Sequence, residues 1–403
     1  MPVSIPSRTV KPTRVLHVMR LPMGGLFRHV HDLVAGQQAA GIAAGVVCAT
    51  PPNDGVSAAR IATLEARCGL GLHVVPMSRL PGFGDLSNMR EVGALIARLQ
   101  PDVIHGHGAK GGLLARLVPA GKDAVRIYTP HGGTLHYSGL TPHGFAFLAA
   151  ERLMRGRTDG FIFESEFSRT SFIAKVGKPG AATAVIHNGL ARDEFLPVGH
   201  ADGAADFLFI GELRMLKGVS TLIEAMRLLG RPAHLIIVGE GPDRAHFETL
   251  AQSLPPVSKV SFLGAMPARA AFRLARVVVM PSWNESLPYV ALEAAAAGVP
   301  LVATRVGGVP EIFGSEAHRL VPAGDATALS RALAGTLAEP GAISASAMRL
   351  QARVARMFSV TEMVSAVNGF YGRIVEAKRA RLAPAGDLPL IEGAGSRYTG
   401  AGQ

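Results

Sequence analysis

The chain has 403 residues, of which 48% are hydrophobic; this composition suits two or three well-buried domains and excludes intrinsic disorder. The two cysteines exclude a disulfide framework, and the chain has neither a run of eighteen apolar residues nor a signal-peptide core, so we expect a cytoplasmic protein. The formal charge is +11, and residues 1–195 contain 21 Lys and Arg against 13 Asp and Glu. This excess would attract nucleic acid, an anionic membrane surface or a phosphorylated acceptor, unless it serves solubility alone.

Short β-branched runs alternate with Ala- and Leu-rich helical stretches through the first half of the chain. The predicted strands are RVLHVMR, GVVCAT, DVIHGHG, RIYTPHG, GFIFES and the end of AATAVIHNG. The predicted helices between them include GLFRHVHDLVAGQQAAG, SNMREVGALIARLQ and KGGLLARLVPA. Such alternation favours a parallel sheet with helices on both faces.

The same pattern restarts after ARDEFLPVGHADGAAD, which we predict to be a linker. Five further strand-to-turn units follow: DFLFIGELRMLKG, HLIIVGEGPD, KVSFLGAM, RVVVMPS and PLVATRVGG. We therefore predict an α/β protein with two Rossmann-like domains, 13–195 and 204–357, separated by a cleft. Residues 358–380 are expected to form a closing helix that packs back on the first domain. The Gly- and Pro-rich segment 381–403 is expected to be a mobile tail.

Ligands of open α/β sheets bind beyond the carboxyl ends of the strands, so residues at strand ends are the candidates for a site. Gly24 and Gly25 follow the first strand, and such a loop lets the backbone approach a ligand closely. His107 and His131 end two later strands. With His105, His107 could suggest a metal, but no Cys, Asp or Glu at ligand spacing completes such a site, and we predict none.

Two acids stand in the otherwise apolar segment NESLPYVALEAAAAGVPLVAT. Glu293 lies in a helix that is apolar all round and therefore buried, so its carboxylate needs donors from elsewhere in the structure. The vicinal hydroxyls of a ligand would supply them. Glu285 lies in the turn before this helix, whose N-terminus favours a phosphate. The pair could hold a ribose and a sugar at the two ends of one diphosphate, or could simply cap neighbouring loops.

The segment PSWNESLPYVALEAAAAGVPLVATRVGGVPEI resembles the Glu-x7-Glu signature of the retaining glycosyltransferases of family 4, which have the GT-B fold. PMGGLFRHV, PDVIHGHGAKGGLLARL, YTPHGG, VIHNGL, FIGELRMLKGVSTLIEAM and VGEGPDR extend the resemblance over most of the chain. These phrases look most like enzymes that build bacterial exopolysaccharide or lipopolysaccharide.

The resemblance implies a role for each candidate residue. Glu293 would hold the ribose hydroxyls and Glu285 the transferred sugar, with Ser286 and Leu287 beside them. Lys217 would bind the diphosphate. The family usually has Arg directly after the first Gly of GELRMLKG, whereas this chain has Glu212 there, so Arg214 is expected to supply the second cation.

The remaining candidates contact other parts of the substrates. His131 and His107 would lie near the reaction centre, with Gly24 and Gly25 facing the diphosphate or the acceptor. Gly307 and Gly308 would present N–H groups to the sugar, and the backbone at Met266 would meet the base. We expect no metal or other cofactor, a nucleoside diphosphate sugar as donor, and no nucleic acid partner. The acceptor would be a glycan or a polyprenyl diphosphate-linked sugar at the anionic inner membrane face.

Two other classes of function fit the same pattern. A nucleotide-sugar epimerase or a glycan phosphorylase would use this fold for different chemistry, and the phosphorylase would need a pyridoxal-phosphate lysine. A non-catalytic nucleotide-sugar binding protein would bind the donor without releasing a nucleoside diphosphate.

Overall fold

The computed structural model describes residues 13–51, 55–78, 82, 84–132 and 141–382, and within them the chain forms two Rossmann-like lobes. The N-terminal lobe has strands β1 (Arg14–Val18), β2 (Ala43–Cys48), β3 (Leu72–Val74), β4 (Val103–His107), β5 (Val125–Thr129), β6 (Gly160–Phe163) and β7 (Ala182–Val185). Its helices are α1 (Gly24–Ala39), α2 (Gly55–Glu65), α3 (Gly84–Leu99), α4 (Gly108–Leu117), α5 (Pro142–Met154) and α6 (Glu166–Lys175).

The C-terminal lobe repeats this plan on a smaller sheet. Its strands are β8 (Ala205–Ile210), β9 (Ala233–Val238), β10 (Ser258–Leu263), β11 (Ala275–Met280) and β12 (Leu301–Ala303). Its helices are α7 (Val219–Leu228), α8 (Arg244–Gln252), α9 (Ala268–Phe272), α10 (Tyr289–Ala296), α11 (Val309–Phe313), α12 (Ala326–Ala338) and α13 (Pro340–Met357). The predicted fold class, with two doubly wound parallel sheets, is confirmed.

Strand order places the carboxyl ends of both sheets at one cleft. The N-terminal sheet has the order β3-β2-β1-β4-β5-β6-β7 and the C-terminal sheet β10-β9-β8-β11-β12, and every described pairing is parallel. The direction in which successive strands are added to the sheet reverses between β1 and β4, and again between β8 and β11. Ligand sites form at such switch points, so the loops after these four strands are positioned to meet a ligand.

The last helix, α14 (Val360–Leu382), returns to the N-terminal lobe. Its residues Val364, Val367 and Phe370 are buried against Val15 and Leu33 beneath the N-terminal sheet. Beyond residue 382 the predicted tail lies outside the described residues. No described helix is both long and apolar enough to cross a bilayer.

Candidate active site

Two adjoining cavities, of about 640 and 920 Å³, occupy the cleft between the lobes. The smaller is lined by the β11–α10 loop, and the larger extends along the carboxyl ends of β9 and β10. They form one continuous space because they share the residues Gly24, Leu26, His131, Ile210, Gly211, Glu212, Arg214 and Val290.

Most of the residues predicted from the sequence line this space. The smaller cavity is lined by Gly24, Gly25, His131, Arg214, Lys217, Glu285, Ser286 and Leu287. The larger cavity adds His107, Met266 and Glu293. The structure therefore brings together residues from both halves of the sequence, up to 269 positions apart (Gly24 and Glu293).

Gly308 supports the cleft from behind instead of offering its N–H group to a sugar, and the expected donation by Gly307 stays a prediction. The N–H of Gly308 donates to the carbonyl of Ser286 at 2.6 Å, so the expected donation by Gly308 to a ligand is wrong. A Cβ on Gly307 would lie 2.0 Å from the carbonyl oxygen of Glu285. The two glycines thus let the backbone approach the loop that carries Glu285 and fix its position.

Lys217 and Glu285 form an ion pair in the smaller cavity. Lys217 Nζ lies 2.7 Å from Glu285 Oε1, and the same oxygen accepts a hydrogen bond from Ser282 Oγ at 2.7 Å. Glu285 is buried, whereas about a third of the Lys217 side chain is exposed. The ammonium group is therefore held in place by the protein and remains open to the cleft.

Gly218 fixes the backbone that presents Lys217. Its φ of +69° is in the left-handed region, which favours glycine, and an added Cβ would lie 2.0 Å from the carbonyl oxygen of Pro281. The loop after β8 and the loop after β11 therefore interlock at this point. Arg214 is more exposed than Lys217, and its Nη1 lies 3.7 Å from Glu212 Oε2.

Glu293 receives a donor from the opposite lobe. The guanidinium of Arg28 in α1 donates to Glu293 Oε1 and to Glu194 Oε2, and it lies 4.5 Å from the centre of the Tyr289 ring. Burial raises the pKa of Glu293, an effect that the charge of Arg28 opposes. The expectation that Glu293 finds its donors outside its own helix is met by Arg28, which binds one of its oxygens.

A carboxylate that the sequence analysis missed lies beside His131. Glu164 follows β6, lines the smaller cavity, and places Oε2 2.7 Å from His131 Nδ1. Burial alone would raise the pKa of Glu164, but His131 and a hydrogen bond with Ser286 hold it below its ordinary value. His131 itself has a φ of +50°, which is uncommon for a residue other than glycine.

Behind His131, buried histidines form a chain through the N-terminal lobe. His131 Nε2 lies 3.0 Å from His107 Nδ1, His107 Nε2 lies 3.0 Å from His17 Nδ1, and His17 Nε2 lies 2.9 Å from Gln37 Oε1. Nitrogen atoms of two triads, His17–His105–His107 and His29–His107–His131, lie within 4.8 Å of one another, a spacing that suits a metal. The sequence analysis weighed His105 and His107 as a metal pair and His131 as a substrate contact, but gave no sign of His17 and His29, so the absence of a metal remains a prediction.

These histidines make stability sensitive to acid. Burial lowers the pKa of His17 to about 4 and of His29 to about 3, and it also lowers the pKa of His105 and His107. Below pH 6.5 these histidines are therefore protonated in the unfolded chain but stay neutral in the folded chain. We expect these histidines to leave the free energy of unfolding unchanged above about pH 7, and His17 and His29 each to lower it by about 1.4 kcal/mol per pH unit below pH 6, until the pH reaches about 4 for His17 and about 3 for His29.

Thermal unfolding at pH 7.5 and pH 5.5 measures this effect. The Tm should fall on acidification, and His17→Gln should reduce the fall because it removes one titrating group. His200→Gln, at an exposed histidine, should leave the fall unchanged. An equal Tm at both pH values would show that these histidines do not titrate as their burial requires.

Comparisons with known proteins match both halves of the chain. Residues 24–189 match the family described as glycosyl transferase 4-like domain, and residues 204–339 match the family described as glycosyl transferases group 1. The chain is 28% identical over 406 residues to a glycogen synthase of Mycobacterium tuberculosis, with 92% of this chain and 95% of that protein covered. It is 30% identical over 285 residues to EpsD of Bacillus subtilis, named as a glycosyltransferase, with 64% of this chain and 73% of EpsD covered.

A solved structure shows the same fold. HepE from Anabaena, crystallised with UDP and glucose, superposes with a TM-score of 0.73 at 18% sequence identity, covering 90% of this chain and all of that one. The arrangement of two parallel sheets around a cleft is therefore shared with solved GT-B structures.

Proposed function

This chain belongs to the group 1 glycosyltransferases of GT-B fold, enzymes that transfer a sugar from a nucleotide sugar, and from this premise we propose that transfer proceeds with retention of the anomeric configuration onto a glycan or lipid-linked acceptor. The observation that carries the proposal is the ion pair of Lys217 and Glu285 inside the cleft. It places a cation and an acid side by side where a diphosphate and its sugar would meet.

The donor we propose is a nucleoside diphosphate sugar that extends from the larger cavity into the smaller one. The base would lie near Met266 and the ribose at Glu293, both of which line the larger cavity. The diphosphate would lie at Lys217, Arg214 and the N-terminus of α10, and the sugar would reach Glu285 and His131. The solved HepE complex with UDP and glucose supports a donor of this chemical class.

We propose that the reaction uses these cations and no metal. As the glycosidic bond breaks, negative charge develops on the leaving diphosphate, and the fixed ammonium of Lys217 stabilises it. The acceptor oxygen forms the new bond on the same face, and its proton passes to the departing phosphate oxygen. Glu164 carries a charge in the same cavity, but its contacts with His131 and Ser286 suit a role in holding His131 toward the sugar.

The acceptor side of the proposal rests on the N-terminal lobe. Its excess of Lys and Arg suits an acceptor linked to polyprenyl diphosphate at the inner face of the membrane. Together with the sequence resemblance, this charge favours a role in exopolysaccharide or lipopolysaccharide synthesis.

A two-stage assay tests the function. A thermal-shift screen of UDP- and GDP-sugars should identify the donor by the rise in Tm that binding produces. The donor labelled in its sugar is then incubated with a membrane extract, and NMR of the product reports the anomeric configuration. Transfer with retention is expected. Donor conversion without acceptor would indicate an epimerase, binding with no release of nucleoside diphosphate would indicate a binding protein, and inversion would contradict the proposed stereochemistry.

Glu293→Gln should weaken donor binding more than it slows the chemical step. The substitution keeps the shape of the side chain but removes the charge that strengthens a hydrogen bond from a ribose hydroxyl, which contributes about 1.5–3 kcal/mol. We expect the donor KM to rise about tenfold or more while kcat changes less than fivefold, measured by steady-state kinetics.

Glu194→Gln is the matched control, since Glu194, like Glu293, accepts a hydrogen bond from a terminal nitrogen of the Arg28 guanidinium. It should change the donor KM less than threefold. Equal increases in both variants would show that Glu293 acts through the contact between the lobes and not through the ribose.

A further inference from the structure

A polar cavity of about 360 Å³ lies at the opposite edge of the N-terminal sheet from the cleft. It is lined by Arg116, Leu117, Arg126, Gly156, Arg157, Asp159 and Lys378. Arg126 is near the start of β5, whose other end leads to His131, and a strand of five residues spans about 17 Å. The cavity is therefore separate from the candidate active site.

The charges around this cavity do not balance. Among its described lining residues, four are cations and one is a carboxylate. Asp159 Oδ2 accepts from the backbone N–H of Arg126 at 2.7 Å and from Lys378 Nζ at 3.0 Å. Arg157 is exposed, and no carboxylate among the described residues lies within 4 Å of its guanidinium. Asp159 pairs with Lys378, and Glu151 beside the cavity pairs with Arg116, so among the described residues Arg126 and Arg157 are the lining cations without an acid within 4 Å.

Arg116 carries a buried N–H group without an acceptor. The residue is 1% exposed, its Nε donates to the Gly112 carbonyl, and its Nη1 donates to Glu151 Oε2. Nη2 is buried and finds no hydrogen-bond partner among the described residues. A buried guanidinium N–H on the lining of a polar cavity needs an acceptor from water or a ligand.

Arg126 repeats this situation on the other side of the cavity. Its Nη2 donates to the Val118 carbonyl at 2.9 Å, but its Nε is buried and lacks a partner among the described residues. Burial lowers the pKa of this guanidinium, Asp159 opposes that effect, and Arg157 adds to it. Two guanidinium groups therefore each keep one unused donor at the same cavity.

We propose that this cavity binds the phosphate group of a small soluble ligand. Arginine guanidinium groups are the side chains best suited to phosphate oxygens, because their planar N–H donors match the geometry of the anion. The exposed guanidinium of Arg157 would bind phosphate oxygens with Lys378 beside it, and the buried donors of Arg116 and Arg126 would reach them once the side chains that cover them move. The volume admits inorganic phosphate or a phosphate with a small organic group.

Calorimetric titration of the full chain with inorganic phosphate tests the proposal. Because Lys217 and Arg214 in the cleft also attract phosphate, the titration is repeated on Lys217→Ala. We expect binding to persist in that variant and to weaken at least tenfold in Arg157→Ala and in Arg126→Gln. Arg98→Ala, at an exposed arginine of α3, is the control and should bind phosphate as the unmodified chain does.

If Arg126→Gln fails to fold, Arg157→Ala still tests the proposal, because the Arg157 side chain is exposed. Absence of phosphate binding, or equal affinity in Arg157→Ala and Arg98→Ala, would overturn the proposal and leave water as the partner of the two unused donors. Vesicles containing phosphatidylglycerol serve as a second arm. If the chain sedimented with these vesicles, lost that binding in Arg157→Ala and did not bind free phosphate, the proposal of a soluble ligand would be overturned. The cavity would then be assigned to a lipid headgroup.

Discussion

Replacing Lys217 with alanine is expected to lower kcat about 10²- to 10³-fold while the donor KM changes less than tenfold. Lys217 Nζ is held 2.7 Å from Glu285 and lines the smaller cavity. A fixed charge that stabilises the leaving group acts mainly in the transition state, where the diphosphate gains negative charge. Its removal should therefore slow the chemical step more than it weakens binding of the donor.

Single-turnover kinetics with saturating donor measures this loss directly. Lys259→Ala is the matched control, because Lys259 belongs to the same lobe but is exposed on β10. The control should retain kcat within twofold. A kcat for Lys217→Ala close to that of the control would remove Lys217 from the reaction.

Glu285→Gln is expected to cause a loss of comparable size, about 10²-fold or more in kcat. Glutamine keeps the shape of the side chain but removes the charge that fixes Lys217 and that would bind the transferred sugar. Because the two side chains are in direct contact, their effects should not be independent. The double variant Lys217→Ala with Glu285→Gln should lose much less than the product of the two single losses.

Comparison of kcat for the two single variants and the double variant measures this coupling. Glu248→Gln, at a half-buried acid of α8 that pairs with Arg244, should combine with Lys217→Ala multiplicatively. If the losses of Lys217→Ala and Glu285→Gln also multiplied in their double variant, the result would contradict a shared role of the two side chains at the diphosphate and sugar.

The fold was predictable because its strands are short β-branched runs that end in turn residues. RVLHVMR and HLIIVGEGPD are two such runs, and they became β1 and β9. The strand β3 (Leu72–Val74) escaped prediction because it has three residues at the edge of the sheet, where no buried pattern develops. Length and burial therefore decided which elements could be recognised from the sequence.

Within the candidate site, residues at strand ends were predictable and their long-range partners were not. Lys217 and Glu285 follow adjacent strands of one sheet, so their proximity follows from parallel topology. Arg28, by contrast, looks like an ordinary helical arginine, and its contact with Glu293 depends on how the two lobes meet. Glu164 could have been recognised, since it directly follows the apolar strand GFIF at the edge where ligands bind.

The central claim is that the cleft binds a nucleoside diphosphate sugar along the line from Met266 to Glu285. A crystal structure of the chain with its donor tests this most directly. We expect a ribose hydroxyl within about 3.2 Å of a Glu293 carboxylate oxygen and a diphosphate oxygen within the same distance of Lys217 Nζ. A nucleotide bound outside the cleft, or bound in it without contacting Glu293 or Lys217, would contradict the account.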